Sequence, residues 1–251
     1  MGNLLLDALP REIYRTLERH FERVAIKRGE TLHEPGQPVR HLYFPLTCLL
    51  SVTITGREGK TVETGIAGNR EMLGVNAFMG GWDTNRYVVQ IPGDAIKIKS
   101  EPMLEAFDRS KAVRDVLLRY TQALISQISQ SAACNRMHDI KQRYARWLLE
   151  VRDRIQTEDL RLTQEFAAEM LGVRRASVTD VSAAFETQGL VAVRRGLTRI
   201  TDSDGLAAIA CECYRIVKEE HDRLLGPRAD IRLAARAVAK RQSSWQKEKA
   251  R

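Results

Sequence analysis

The sequence predicts an α+β protein: a β-rich N-terminal part, a long central helix and a C-terminal winged helix-turn-helix. Three observations carry this. Residues 25–100 contain short β-branched runs punctuated by Gly and Pro. After about residue 101 an apolar stripe of helical period takes over. Residues 160–201 then read as helix, glycine turn, helix and hairpin in unbroken succession, the pattern of a helix-turn-helix followed by a wing.

The elements follow in chain order. Residues 11–24 read as an opening helix, with Ile13, Leu17 and Phe21 at helical spacing. Leu50, Val52 and Ile54 alternate with Ser51, Thr53 and Thr55, as in a half-buried strand. Gly56-Arg57-Glu58-Gly59 turns that strand into a second run, Thr61 to Thr64. Val88 to Ile91 and Ala95 to Ile98 flank Pro92-Gly93-Asp94 and predict a further hairpin. Val113, Leu117, Tyr120, Leu124 and Ile128 then form one stripe along a helix of about six turns. Such a stripe packs on its own domain or on a twin helix, and pattern alone leaves both open. A second helix starts at Asp139, whose capping-box partner is Gln142.

The most informative stretch is 160–201. Thr163 caps a short helix that begins with Gln164 and carries Glu165 near its positive end. Gly172 permits the turn. The second helix opens at Arg174 or Arg175, buries Val178, Val181 and Phe185, and stops at Gly189. Arg174, Arg175, Ser177 and Thr179 lie in or near its first turn, mostly off the buried face. Arginine there can hydrogen-bond O6 and N7 of guanine together, and hydroxyls can reach bases or phosphates. Leu190 to Arg194 and Leu197 to Thr201, joined by Arg195-Gly196, form the wing; Arg194, Arg195 and Arg199 are its candidate phosphate contacts. Candidate DNA-binding residues are therefore Thr163, Gln164, Arg174, Arg175, Ser177, Thr179, Arg194, Arg195 and Arg199.

Net charge alone does not make this case. Of the formal +8, +6 sits in residues 228–251, so the rest of the chain is nearly neutral. No apolar run approaches the length of a membrane span and no secretory signal is evident at the N-terminus, so a cytoplasmic protein is expected. No string for a nucleophile elbow, a phosphate loop or a zinc protease is present, so no enzyme is expected. The four cysteines, Cys48, Cys134, Cys211 and Cys213, include no C-x-x-C pair. Cys211 and Cys213, two apart on an expected helix, should point in opposite directions. Buried or half-exposed free thiols, with no metal and no cofactor, are the expectation.

Lys27 to Leu32, Pro35-Gly36-Gln37-Pro38, Leu42-Tyr43-Phe44 and the run from Leu162 to Val191 resemble the family of the cyclic-AMP receptor protein and the fumarate–nitrate regulator, over about residues 7–205. The resemblance implies a cyclic-nucleotide-binding-like β jelly roll over 1–105, a dimerisation helix over 106–137, a winged helix-turn-helix over 138–205 and a C-terminal helix with a basic tail over 206–251. It makes the stripe of Val113, Leu117, Tyr120, Leu124 and Ile128 the dimer interface. It also implies double-stranded DNA, a second copy of the chain and RNA polymerase as partners, with no membrane.

The departures matter as much. Members that bind cyclic nucleotides offer a Gly-Glu pair to the ribose and an Arg-Ser or Arg-Thr pair to the phosphate. Laid on that cassette, this sequence keeps Gly74, puts Val75 at the glutamate, and puts Thr84-Asn85 at the Arg-Ser pair, with Arg86 just late. Valine cannot accept a ribose hydroxyl and threonine brings no charge to a phosphate. A transcription regulator answering another signal in the β-roll is therefore expected; the alternative is a cyclic-nucleotide-dependent regulator. Arg70 and Glu71 read as solvated loop charges. Arg175 matches the family's guanine-reading arginine, whereas Ala176 and Asp180 replace a glutamate and a second arginine.

Overall fold

The computed structural model describes residues 2–59 and 61–226. The basic tail singled out above lies outside the described residues.

Two short helices, α1 (Leu4–Asp7) and α2 (Arg11–Glu18), precede the β-roll. The opening helix is shorter than its period suggests: Phe21 falls outside it, and β1 (Glu22–Ile26) begins immediately after. The roll continues with β2 (Thr31–His33), β3 (Gln37–Pro38), β4 (His41–Pro45), β5 (Leu49–Thr55), β6 (Thr61–Ala67), β7 (Trp82–Asp83), β8 (Arg86–Ile91) and β9 (Gly93–Lys99). Its sheets run β1-β9-β4, β2-β8-β5-β6 and β3-β7, with every pairing antiparallel. The β5–β6 hairpin forms as its alternation requires. β8 and β9 do not form the expected hairpin but lie in different sheets. At the crossing, a Cβ on Gly93 would sit 2.9 Å from the Cys48 backbone nitrogen, so the chain passes from one sheet to the other too close to β5 for a side chain.

After α3 (Ser100–Arg109), α4 spans Lys111–Met137, about 40 Å at 1.5 Å per residue. The Ser110 hydroxyl caps it by accepting from Val113 N–H. Then come α5 (Ile140–Ile155), β10 (Asp159–Leu160), α6 (Gln164–Leu171), α7 (Arg175–Thr187), β11 (Val191–Arg194), β12 (Leu197–Ile200), α8 (Ser203–Ile209) and α9 (Cys213–Leu225). The Asp139–Gln142 capping box opens α5 as read from sequence.

α4 corrects the interface assignment. Val113, Leu117 and Tyr120 are 0%, 2% and 2% exposed and belong to the chain's own core, with Leu5, Leu42, Phe44, Ile98 and Met103. Tyr120 also donates to Met72 O at 2.6 Å. Leu124 packs partly against the same cluster. Of the predicted stripe only Ile128 faces outward, at 42%. The physical reason is that α4 is apolar on two faces, and the β-roll takes the one that the i, i+4, i+7 reading selects. The other face presents Leu118 (55%), Ile125 (59%) and Ile128. Leu118 and Ile125 are seven apart and Ile128 three further on, the a/d spacing of a coiled-coil seam.

The β-roll and the helix-turn-helix share a core. Leu49, Ile66 and Ile91 of the roll cluster with Trp147, Leu148, Ala167, Met170 and Leu171. Arg70 and Glu71, expected in solvent, are part of this junction. Glu71 is buried, accepts from Gly68 N–H at 2.8 Å and pairs with Arg154 Nη2 at 3.1 Å. Arg70 pairs with Asp222 of α9 at 2.6 Å.

Candidate nucleic-acid interface and sensor cavity

α6 and α7 meet across Gly172, whose φ of 64° closes the turn. Thr163 caps α6 by accepting from Phe166 N–H at 3.2 Å. Arg143 donates to Leu171 O at 2.6 Å and secures the far end of α6. α7 buries Val178, Ser182 and Phe185. That leaves Arg174, Arg175 and Thr179 exposed and Ser177 half-buried in and around its first turn. Thr179 donates to Gln164 Oε1 at 2.8 Å, tying the two helix starts together. Arg175 meets Glu165 at 3.4 Å, both well exposed. Such a pair contributes at most about 1 kcal/mol, so it yields to a base edge at little cost.

The wing closes through Arg195-Gly196, with Arg194 opposite Leu197 and Gly196 at φ 75°. Arg194 and Arg195 are exposed at its tip. Arg199 is exposed but already paired. Its guanidinium binds both carboxylate oxygens of Asp159, at 2.5 and 2.6 Å, across the β10–β12 pairing. That bidentate pair, itself exposed, occupies the fork in the free chain.

The residues aligned with the cassette are engaged within the β-roll. Gly74 keeps the left-handed backbone, at φ 97°, and Val75 is buried in the core. Asp83 is buried beside Thr84 and Asn85. Asn85 donates to it from Nδ2 at 2.6 Å, and the Tyr87 hydroxyl donates to its other oxygen. Arg86 turns away to Glu34, at 2.9 Å. The expected phosphate end thus holds a buried, hydrogen-bonded Asp83, with Arg86 paired to Glu34 instead.

A different opening exists. A cavity of about 520 Å³ lies between the roll and α6, with Arg28, Thr53 and Arg86 on one side and Arg161, Thr163 and Met170 on the other. Behind two of its lining residues, Ser51 and Gln90, Glu63 of β6 accepts from Gln90 Nε2 at 2.7 Å, from the Ser51 hydroxyl, and from Trp147 Nε1 of α5 at 3.0 Å. Burial is the main force on Glu63 and pushes its pKa up to about 8, against the hydrogen bonds that favour the carboxylate. A carboxyl protonated in the fold but ionised in the unfolded chain makes stability fall as pH rises from about 4.5 to about 8. Glu63→Gln should remove that slope. Thermal melts from pH 5 to 9 should show the variant gaining about 1–3 kcal/mol over the parent at pH 8, after allowance for partial solvent access, and almost nothing at pH 5. An identical pH dependence for both proteins would remove Glu63 from the account.

The cysteines depart furthest from expectation. Cys211 lies between α8 and α9, not within one helix, so the opposite-facing argument fails. Cys134, Cys211 and Cys213 converge with His138. The sequence signal that could have found them is Cys134-x-x-x-His138, an i, i+4 pair on one helical face, alongside a Cys-x-Cys.

A jelly-roll sensor packed against a winged helix-turn-helix with an arginine-lined recognition helix defines a DNA-binding transcription regulator. Two family models match: the cyclic nucleotide-binding domain over residues 23–110 and the Crp-like helix-turn-helix domain over 142–209. The chain belongs to the Crp/Fnr family of transcription regulators. It is 24% identical over 199 residues to a CRP-like cAMP-activated global transcriptional regulator of Mycobacterium tuberculosis, covering 76% of this chain and 89% of that one. Among solved structures it resembles FixK2 from Bradyrhizobium japonicum (14% identity, TM-score 0.68, 76% and 98% of the two chains). It also resembles a Crp/Fnr-family regulator from Eubacterium rectale (21%, TM-score 0.63, 82% and 96%). At these identities the structures attest the fold. Among the described residues no helix is long and apolar enough to cross a membrane.

Proposed function

We propose that the chain acts as a homodimer that reads an inverted-repeat DNA site and answers a signal other than a cyclic nucleotide. The observation that carries the reading is the pairing of exposed Arg174 and Arg175 at the start of α7 with exposed Arg194 and Arg195 at the wing tip. Arg175 reads a guanine in each half-site; Arg174, Ser177, Thr179 and Thr163 complete the contact with bases and phosphates. Arg194 and Arg195 hold the backbone, and Gln164 orients Thr179. Two copies meet through Leu118, Ile125 and Ile128, which sets the half-sites about one helical turn apart. RNA polymerase is the further partner such a regulator meets at a promoter, and the cytoplasm is where it would work. The mycobacterial relative is named for activation by cAMP; Val75, Thr84 and the buried Asp83 argue against carrying that over. The cavity between the roll and α6 suits the signal better, because a ligand there touches both domains and can favour one arrangement over another.

The test is a binding titration on a site selected from random duplexes. Arg175→Ala should lose about 1–3 kcal/mol on that site and flatten discrimination at one guanine per half-site. Arg195→Ala should weaken all duplexes alike and lower the salt slope by about one unit for each phosphate it no longer neutralises. Equal weakening on every duplex for Arg175→Ala would make it a backbone contact and overturn the assignment.

A further inference from the structure

We propose that Cys134, His138, Cys211 and Cys213 form a closed four-ligand site for a single thiolate-binding metal ion, with Zn²⁺ the best fit. The four donor atoms all lie within 4.8 Å of one another. Cys134 Sγ is 3.5 Å from Cys211 Sγ, and Cys213 Sγ is 3.6 Å from His138 Nδ1. Tetrahedral zinc, with Zn–S near 2.3 Å and Zn–N near 2.0 Å, requires donor–donor edges of about 3.5–3.8 Å. Two of the six edges are therefore already at tetrahedral spacing, and the other four lie within 4.8 Å, a small closure from it. A cuboidal iron–sulfur cluster places each thiolate on a separate iron and needs a wider spread.

The surroundings match a metal site better than a patch of packed thiols. His138 Nε2 faces Glu212 Oε2 at 3.2 Å, which fixes the ring and leaves Nδ1 for the sulfurs. This is the carboxylate–histidine–metal arrangement that orients an imidazole ligand. Gln130, one turn before Cys134 on the same face of α4, donates from Nε2 to Cys213 Sγ at 3.1 Å. Three thiolates, a neutral imidazole and a divalent cation leave one net negative charge. The Arg146 guanidinium, buried on α5, favours thiolate at all three sulfurs, with part of its charge taken by Glu150 at 2.9 Å. Three sulfurs and one imidazole favour Zn²⁺ over the hard cations. With four protein ligands no position is left for a substrate, so the role is structural.

The location gives the site its consequence. Cys134 is in the last turn of α4, and His138 ends that helix immediately before Asp139 caps α5. Cys211 comes from the connection between α8 and α9, and Cys213 is the first residue of α9. One ion would pin the end of the long helix to the connection that follows the wing, and so hold the hinge between them. An effect of that pin on DNA binding rests on the homodimer reading above; binding of the ion does not.

The experiment uses the reduced full-length chain, freed of metal and titrated anaerobically with Co²⁺ and then Zn²⁺, without DNA. One Co²⁺ per chain is expected, with thiolate-to-cobalt charge transfer and the intense d–d bands of a tetrahedral site, displaced stoichiometrically by Zn²⁺ with a rise in Tm. Cys211→Ser should lose about a third of the charge-transfer intensity or bind at least about 100-fold more weakly, and His138→Cys should keep a tetrahedral spectrum. Glu212→Gln, an exposed change that should not disturb folding, should weaken binding about 10–100-fold. Cys48→Ser, in the β-roll, should change nothing. An absent or octahedral cobalt spectrum in the folded parent would overturn the proposal, whatever the folding of the cysteine variants. So would iron–sulfur absorption after iron and sulfide reconstitution with no tetrahedral cobalt site, or an unchanged spectrum in folded Cys211→Ser.

Discussion

Ile125→Asp should convert the protein to a monomer at low micromolar concentration and abolish tight binding to a two-half-site operator. Ile125 is the most exposed residue of the outward stripe on α4, at 59%, between Leu118 and Ile128. In a dimer it would sit in an apolar seam, where an unpaired carboxylate costs several kcal/mol or more unless the helices part. In the single chain the same aspartate points into water and costs almost nothing, so folding is preserved and the effect reads association alone. Leu117→Ala gives the contrast. Leu117 is buried against the chain's own β-roll, so its truncation should cost about 2–5 kcal/mol of stability and leave the dimer intact. Sedimentation velocity and thermal melts on both variants separate the two faces. A dimeric Ile125→Asp, or a monomeric but thermally stable Leu117→Ala, would return the interface to the stripe of Val113, Leu117, Tyr120 and Leu124.

That contrast shows which features of the chain are legible in sequence. Local signals were readable because their partners lie within a few residues. The Asp139–Gln142 box, the Thr163 cap, the left-handed Gly172 and Gly189, and the two-residue wing turn at Arg195-Gly196 all formed as spacing and residue type dictated. Periodicity finds an apolar face but not what covers it, and on α4 there were two such faces. Features set by distant pairings were invisible. Arg199 is claimed by Asp159, 40 residues away; Cys134 is met by Cys211 from 77 residues away. Pro92-Gly93 looks like a hairpin turn locally, and only the sheet order reveals that the chain changes sheets there. Arg175 and Thr179 on α7 stay exposed, and Ser177 half so, because their placement depends only on the first turns of one short helix. Arg199 does not stay free, because a neighbouring strand supplies a carboxylate.

Glu71→Ala should be the most destabilising single change at the junction of the two domains. Glu71 and Arg154 are both almost wholly buried, and their ion pair bridges the loop after β6 to the last turn of α5. The approach is close: a Cβ on Gly68 would fall 2.4 Å from Arg154 Cβ, so only glycine lets the loop reach the helix. The same loop is held by Tyr120 of α4 through Met72, and by Asp222 of α9 through Arg70. Removing the Glu71 carboxylate strands the Arg154 cation in a desolvated site, which costs about 3–5 kcal/mol. Removing both charges is a different experiment. Glu71→Leu combined with Arg154→Met replaces the pair by apolar groups and should recover most of that loss, because the attraction between buried ions largely repays their desolvation and little more. Denaturant melts of the single and double variants measure this directly, and a coupling of about 2 kcal/mol or more is expected between the two sites. If Glu71→Ala costs less than about 1 kcal/mol, the pair is solvated in solution and the two domains are joined by the apolar cluster of Leu49, Ile66, Trp147 and Met170 alone.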